Sequence, residues 1–165
     1  MTEIENMLSE PVPPIFIKSR TTELDGKKKT LSYVDLPYII DTANRIFGYH
    51  GWEKHVLSME RLEHKFSQNK HTVVMLAKVS VSRAKNVRES YGISSATSYS
   101  LHDAYEVAVK GAETDALKRC FVTFGNIFGL SLYKSEHLTL KGTDNEPTRP
   151  RDTRTEQEKG EADSS

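Results

Sequence analysis

Basic side chains on a predicted amphipathic helix are the part of this sequence best suited to binding a polyanion. The stretch Lys110–Asn126 predicts this helix, because apolar residues recur at helical spacing while Lys110 and Lys118 fall on another side. Arg119 adds a further cation. A second segment, Phe47–Trp52, combines aromatic residues with two glycines upstream of the helix. Together the two segments indicate a module that handles nucleic acid rather than a catalyst.

Catalytic chemistry has weaker support in the residue spacing. Glu63, His64 and Lys65 fit half of a metal-dependent nuclease signature, with Asp35 or Asp41 as an upstream carboxylate. The histidines show no spacing typical of zinc ligands. A glycine-rich phosphate loop ending in Lys and Ser or Thr is also missing from the sequence. We therefore predict no enzyme activity, no metal site and no cofactor, and keep a nuclease as the alternative.

The formal net charge of zero conceals an uneven distribution. Residues 16–141 contain 19 Lys or Arg and 13 Asp or Glu residues. Residues 1–15 contain three acidic residues and no basic one, and residues 142–165 contain seven acidic and four basic residues. A basic body with acidic ends can bind phosphate groups where an evenly neutral chain would not.

The length and composition predict one domain in a chain of 165 residues. We expect an N-terminal arm over residues 1–14, a folded domain over residues 15–141 and a disordered acidic tail over residues 142–165. Cys120, the one cysteine, excludes an intrachain disulfide and is expected in the core. No apolar run approaches the roughly 20 residues of a membrane span, so we expect a soluble intracellular protein without a membrane partner.

The first predicted elements are a β-hairpin and a helix. Asp25–Gly26 is typical of a two-residue hairpin turn, which places one strand from Ile15 and a second strand through Val34. Asp35 can cap the helix that follows, and Gly48 can end it.

An antiparallel meander and a covering helix complete the prediction. Apolar and polar residues alternate over Val73–Ser82, which indicates a strand with one apolar face. Turns at Ser67–Lys70 and Lys85–Asn86 join this strand to its neighbours, and the third strand is expected to end near Tyr91–Gly92. Ser100 is the expected cap of the long helix, which covers the apolar face of the meander. The order of hairpin, helix, meander and helix predicts an α+β fold.

Three motifs carry a family resemblance. Phe47–Trp52 reads FGYHGW, Thr114–Arg119 reads TDALKR, and Phe124–Asn126 reads FGN, all in an order similar to that of the Rad-fifty-two family of single-strand annealing recombination mediators. The resemblance covers residues 15–140 and includes the shorter Rad-fifty-nine-like members. It implies an annealing domain that assembles into a ring or an arc, with single-stranded DNA lying along a basic groove.

The resemblance also implies which residues bind DNA. Arg20 and Lys134 match basic groove residues, and Tyr33 and Phe47 match aromatic positions near the groove. Lys118 matches a second, outer DNA contact.

Other positions remain open at this point. A lysine in a meander turn normally accompanies the outer contact, and Arg83 or Lys85 could fill that role here. Arg119 is a further DNA candidate, and Lys27–Lys29 is a secondary one. For Phe47 and Trp52 the alternative role is packing in the core or between subunits.

The predicted function is binding of single-stranded DNA and annealing of complementary strands in recombination and double-strand break repair, in the nucleus. The expected partners are single-stranded DNA, double-stranded DNA at an outer site and further copies of the chain. A full-length annealing paralogue, a recombinase and a single-strand-binding protein are additional candidates. The alternative function is that of an accessory subunit that modulates a full-length annealing protein.

Overall fold

The computed structural model describes residues 2–133 and has the predicted α+β architecture. The elements in chain order are α1 (Glu3–Ser9), β1 (Ile17–Leu24), β2 (Lys27–Val34), α2 (Leu36–Phe47), β3 (Glu53–Ser67), β4 (Lys70–Arg83), β5 (Asn86–Ser98) and α3 (Leu101–Val122). Strands β1 and β2 form an antiparallel hairpin, and β3, β4 and β5 form an antiparallel meander in that order. The predicted order of hairpin, helix, meander and helix is confirmed.

The helix α1 lies in the segment predicted as an arm, and sequence analysis did not predict it. Its first turn is fixed by a capping box, in which the Glu5 backbone N–H donates to Thr2 Oγ1 at 3.2 Å and the Thr2 N–H donates to the Glu5 carboxylate at 2.6 Å. Leu8 packs on the core, and Val12 is only 4% exposed. Leu8 and Val12 therefore contact the core from the segment predicted as an arm.

Three tight turns set the strand boundaries. Asp25 and Gly26 have φ angles of 52° and 72°, as the hairpin prediction requires. Gln68 and Asn69 have φ angles of 52° and 57° in the turn between β3 and β4, and Ala84 has 49° in the turn between β4 and β5. The first strand begins later than predicted, because residues 14–16 form one turn of 3-10 helix.

The helix α2 begins and ends where the sequence indicates. Pro37 lies in its first turn, and Gly48 ends it with a φ of 83°. Asp35 occupies the capping position, but its carboxylate accepts no hydrogen bond from the helix backbone. It binds the Lys18 ammonium instead, and this contact raises the pKa of Lys18 above its ordinary value. Asp35 therefore ties α2 to the hairpin.

The helix α3 packs against the meander through small residues. Its buried positions facing the sheet include Ala104, Ala108, Ala112, Ala116 and Cys120. At Gly92 in β5, a β-carbon would lie 2.2 Å from the Ala116 nitrogen and 2.3 Å from the Ala112 oxygen. The backbones of β5 and α3 are therefore in direct contact here.

The third strand of the meander is longer than predicted. It continues to Ser98 rather than ending near Tyr91–Gly92, because Ser and Ala side chains after Gly92 are small enough to lie under α3.

Of the two hydrogen bonds in the capping box predicted for α3, one is present. Ser100 Oγ accepts the Asp103 N–H at 3.3 Å, but the Ser100 N–H donates to Ser98 Oγ rather than to Asp103.

Aromatic side chains fill the core between α2 and the end of α3. Phe47 lies 5.5 Å from Phe124 between ring centroids, and Trp52 packs edge-on against Phe121 at 5.1 Å. The Trp52 Nε1 donates to Asn44 Oδ1 at 2.9 Å. Packing in the core, the alternative role considered for Phe47 and Trp52, is the one that the fold gives them.

Among residues 2–133, no element covers the face of the meander opposite α3. Val87, Tyr91 and Ile93 on this face are 53%, 56% and 53% exposed. Strand β3 forms an edge of the meander and is exposed along nearly its whole length. Exposed large apolar side chains on a sheet face, and an exposed edge strand, are each typical of an interaction surface. In the part of the chain described by the structure, no helix has the length and apolar content needed to cross a membrane.

Candidate nucleic-acid interface

Three of the predicted DNA-binding residues meet around one aromatic ring. The Lys118 ammonium lies 5.2 Å from the centroid of the Tyr33 ring, and the Arg20 guanidinium carbon lies 5.9 Å from the same centroid. The strands β1 and β2 position Arg20 and Tyr33 on one face of the hairpin, and α3 supplies Lys118. These three residues are the cation–tyrosine cluster.

Lys118 occupies an unusual electrostatic environment within this cluster. Burial lowers the pKa of its ammonium, and the positive charge of Arg20 lowers it further, while Asp35 and Asp115 act in the opposite direction. Within residues 2–133, neither Arg20 nor Lys118 forms an ion pair with a carboxylate. The cluster therefore holds two cations whose charges remain available to a phosphate.

An open groove of about 540 Å³ runs from the cluster along α3. Four cationic residues and one acidic residue line it, together with small polar and apolar side chains; the charged residues are Arg20, Lys110, Lys118, Arg119 and Asp115. A groove with this balance of charge attracts an anionic chain.

Two of these cations already have partners. Arg119 Nε donates to the Asp115 carboxylate at 3.1 Å, and that carboxylate also accepts the Ile93 N–H at 3.2 Å. Lys110 pairs with Glu106 one turn earlier in α3. Arg119 thus lines the groove, but part of its charge is satisfied within the helix.

The predicted groove residue Lys134 lies outside the described residues. The residue before it, Tyr133, lines a small cavity together with Tyr33 and Lys118. The last described residue therefore lies beside the cation–tyrosine cluster.

Arg83 and Lys85 lie apart from this groove. The Arg83 guanidinium stacks on the Phe47 ring at 4.8 Å, and Lys85 is exposed in the turn between β4 and β5. Arg88, which the sequence did not single out, stacks on Phe124 at 5.3 Å. Arg83 and Arg88 line a second groove of about 390 Å³ beside α1. Phe47, which matches an aromatic position near the family's groove, lies under Arg83.

The hairpin turn places its lysines in solvent. Lys27 and Lys28 are exposed, Lys29 is half-buried, and Lys28 is paired across the hairpin with Glu23. Their role as secondary DNA contacts stays a prediction.

The residues of the nuclease alternative are spread over the fold. Asp35 and Asp41 line a groove beside α2, and Glu63 lies on the exposed strand β3. Among residues 2–133, one group of three side chains is close enough to hold a metal ion, and it consists of His102, Asp103 and Glu106 on α3. This exposed group contains none of the predicted nuclease residues.

Comparison with known proteins identifies the family. A model of the Rad52/22 family of double-strand break repair proteins matches residues 1–151. The chain belongs to this family. The resemblance carried by the FGYHGW and TDALKR motifs is thereby confirmed, because the Rad52/22 family is the Rad-fifty-two family that the motifs indicated.

Curated relatives in the Rad52 family are DNA repair and recombination proteins. The chain is 33% identical over 141 residues to the DNA repair and recombination protein RAD52 of Candida glabrata, covering 83% of this chain and 27% of the relative. It is 31% identical over 140 residues to RAD52 of Saccharomyces cerevisiae, covering 82% of this chain and 29% of the relative. It is 32% identical over 111 residues to the DNA repair protein RAD59 of Eremothecium gossypii, covering 62% of this chain and 54% of the relative. The chain thus spans less than a third of the RAD52 relatives.

Proposed function

We propose that this chain binds single-stranded DNA through the cation–tyrosine cluster and anneals complementary strands in recombination and double-strand break repair. This proposal depends mainly on one observation. Arg20, Tyr33 and Lys118 come from three different elements and lie together at a groove lined by more cationic than acidic residues. Basic side chains neutralise phosphates without reading sequence, and an aromatic ring stacks on any base. Such contacts leave base edges free for pairing, as annealing requires.

Assembly of several copies into a ring or an arc is part of this proposal. The uncovered face of the meander supports it, because Tyr91 and Ile93 are large apolar side chains left more than half exposed. Lys78 and Glu89 form a 2.8 Å ion pair on the same face, and the contact with Glu89 raises the pKa of Lys78. A second copy packed on this face would bury the apolar side chains. Light scattering on the purified protein checks the assembly, and a stable monomer contradicts it.

The test of DNA binding uses single substitutions in the cluster and one matched control. Arg20→Ala and Lys118→Ala are each expected to weaken binding of oligothymidylate and to reduce the salt slope of log K by about 0.7, the value for one phosphate contact to a single strand. Lys134→Ala is expected to act in the same direction. The control, Lys110→Ala, removes a cation already paired with Glu106 and should have a smaller effect.

Fluorescence anisotropy over a range of salt concentrations gives these slopes. The rate at which complementary oligonucleotides anneal in the presence of each variant measures the proposed activity. Unchanged slopes in both Arg20→Ala and Lys118→Ala would overturn the assignment of the cluster to DNA. Strand cleavage that depends on magnesium would instead revive the nuclease alternative.

A second proposed function is that of an accessory subunit. In this role the chain would co-assemble with a full-length annealing protein and modulate it, and the 32% identity over 111 residues to the DNA repair protein RAD59 is the observation that favours it. Mixing the chain with such a protein distinguishes the two functions. Autonomous annealing by the chain alone favours the first, whereas DNA binding without annealing, together with a changed rate in the mixture, favours the second.

The remaining assignments follow from the same proposal. An outer contact with double-stranded DNA would use Lys118 with Arg83 or Lys85, and Arg119 is a further DNA candidate. Single substitutions measured against duplex DNA would rank them. A recombinase and a single-strand-binding protein are proposed partners, and the nucleus is the proposed compartment, because DNA repair and recombination act on chromosomal DNA.

A further inference from the structure

Two histidine side chains meet across the hairpin that β3 and β4 form. The His64 Nε2 atom lies 3.0 Å from the His71 Nδ1 atom, and the two ring centroids are 5.3 Å apart with an angle of 24° between the ring planes. Because the nitrogens are much closer together than the ring centres, they face each other. We name His64 and His71 the histidine pair.

The register of the meander brings the histidine pair together. Phe66 is paired with His71 and His64 is paired with Val73, so the two histidines are diagonal neighbours on one face of the sheet. Val73 belongs to the core that α3 covers, and the pair therefore lies on the α3 side, away from the face proposed for assembly. The two histidines lie on different strands, which is why no local metal-ligand spacing reveals them.

Neighbouring rings restrict the movement of both imidazoles. The Phe66 ring lies 4.6 Å from the His71 ring between centroids, and the Tyr105 ring lies 6.4 Å from the His64 ring. His64 is exposed and His71 is half-buried, so the pair is open to ions from solvent. Side chains that are already held in place lose less entropy when they bind a ligand.

We propose that the histidine pair binds a divalent transition-metal ion, with Zn²⁺ as the ion to be tested. Imidazole suits zinc, and each ring must offer the ion a nitrogen with a free lone pair. In the pair, one facing nitrogen donates a hydrogen and the other accepts it. When the ion binds, that hydrogen moves to the other nitrogen of its own ring, so both rings stay neutral and both lone pairs point to the ion.

The distance between the two nitrogens fits a zinc ion. Zinc–nitrogen bonds of about 2.0–2.1 Å place two nitrogens on a tetrahedral ion about 3.3 Å apart. The pair, at 3.0 Å, needs to open by only about 0.3 Å to reach that spacing. Water would fill the remaining positions on the ion. The ion would join the edge strand β3 to β4 close to the turn between them.

A second group of metal ligands lies on α3 and must be distinguished from the pair. His102, Asp103 and Glu106 offer three ligand atoms within 4.8 Å of one another. Glu106 is already bound to Lys110, and this contact lowers the pKa of the Glu106 carboxyl. An ion at that group would compete with the Lys110 ammonium, whereas the facing nitrogens of the histidine pair contact each other.

Isothermal titration calorimetry of zinc chloride into the full chain, prepared without a histidine tag, tests the site. The unaltered chain is expected to bind zinc, and His64→Ala and His71→Ala should each weaken that binding by about tenfold or more, because each removes a ligand. His55→Ala is the matched control, since His55 is exposed on the same strand, and it should keep the affinity. Magnesium chloride should give no binding, because Mg²⁺ prefers oxygen ligands.

Hydrogen exchange measures the structural consequence of zinc binding. Zinc should slow exchange of the backbone amides of β3 near the turn, because an ion that joins the two strands opposes their local opening. The same amides should not respond in His64→Ala. Circular dichroism checks that each variant is folded, and if His71→Ala does not fold, the exposed His64 decides the matter.

Three results would overturn the proposal. The first is the absence of zinc binding by the unaltered chain, and the second is an unchanged zinc affinity in His64→Ala and His71→Ala. The third is a loss of zinc binding in His102→Ala with normal binding in the variants of the pair, which would assign the ion to α3. The proposed function is tested independently, because these titrations contain no DNA.

Discussion

Replacing Gly92 by alanine tests the contact that positions Lys118. The added β-carbon would lie 2.2 Å from the Ala116 nitrogen and 2.3 Å from the Ala112 oxygen, well inside normal contact distances. Because both obstructing atoms belong to the backbone of α3, no side-chain rotation relieves the clash, and the helix must retreat by about 1 Å.

The magnitude follows from two opposing terms. Overpacking of this kind costs about 1–3 kcal/mol, and the upper end applies where backbone blocks the new atom on both sides. Alanine in place of glycine in a strand otherwise contributes about 0.5–1 kcal/mol of stability. We therefore expect Gly92→Ala to lower the free energy of unfolding by about 2 kcal/mol and the Tm by roughly 8 °C. Since Ala116 is one half-turn before Lys118, the same shift should also weaken DNA binding.

Urea denaturation measures the free energy of unfolding, and oligothymidylate titration of the folded variant measures binding. Ser90→Ala is the matched control, because Ser90 lies on the same strand and the same face, two residues away, and loses only a hydroxyl group. A Gly92→Ala variant within about 0.5 kcal/mol of the unaltered chain would show that α3 does not depend on this close approach.

Three further predictions concern single side chains. Burial raises the pKa of the Cys120 thiol to about 11, so a thiol reagent at pH 8 should label it only as fast as the protein opens, and rapid labelling of the native protein would contradict its burial. Trp52→Phe removes the donor to Asn44 and should cost about 1 kcal/mol in urea denaturation, whereas an unchanged value would show that this hydrogen bond contributes nothing. The pKa of Lys118 is lower in the folded chain than the ordinary 10.5, so the unfolded state binds more protons between these two values and stability should rise with pH there. Lys118→Met should abolish that rise, and a pH dependence identical in both proteins would refute it.

The order of elements was predictable because the decisive signals are local. Asp25–Gly26 favours a hairpin turn because both residues tolerate positive φ angles. Gly48 ends α2 because glycine readily adopts the positive φ angle needed there. The length of β5 was not predictable, since Ser94–Ser98 contains no large apolar residue, and its place in the sheet depends on the equally small residues of α3 that cover it. The helix α1 was missed because seven residues give too short a periodic pattern.

The candidate site was predictable in its residue types more than in its geometry. Arg20, Tyr33 and Lys118 were named from family motifs, but Lys118 was expected at a second, outer contact. The fold lays the hairpin beside α3, and the ammonium of Lys118 therefore reaches the same ring as Arg20. Tyr99 belongs to no motif, and only the register of β4 and β5 brings its ring to Lys70.

The small residues that let α3 approach the sheet give the helix–sheet interface few protruding side chains. Such an interface offers little resistance to movement of α3 along its own axis. Gly111 forms a notch in the helix that receives Ser94, whose Oγ lies 2.3 Å from where a β-carbon of residue 111 would be. Lys54 binds Glu113 at 2.5 Å, and Arg61 donates to the Tyr105 hydroxyl at 2.8 Å. These polar contacts fix the axial position of α3 and thereby set which turn of the helix carries its lysine to Tyr33. A slip by one turn would present a different residue to that ring and would move Gly111 away from Ser94.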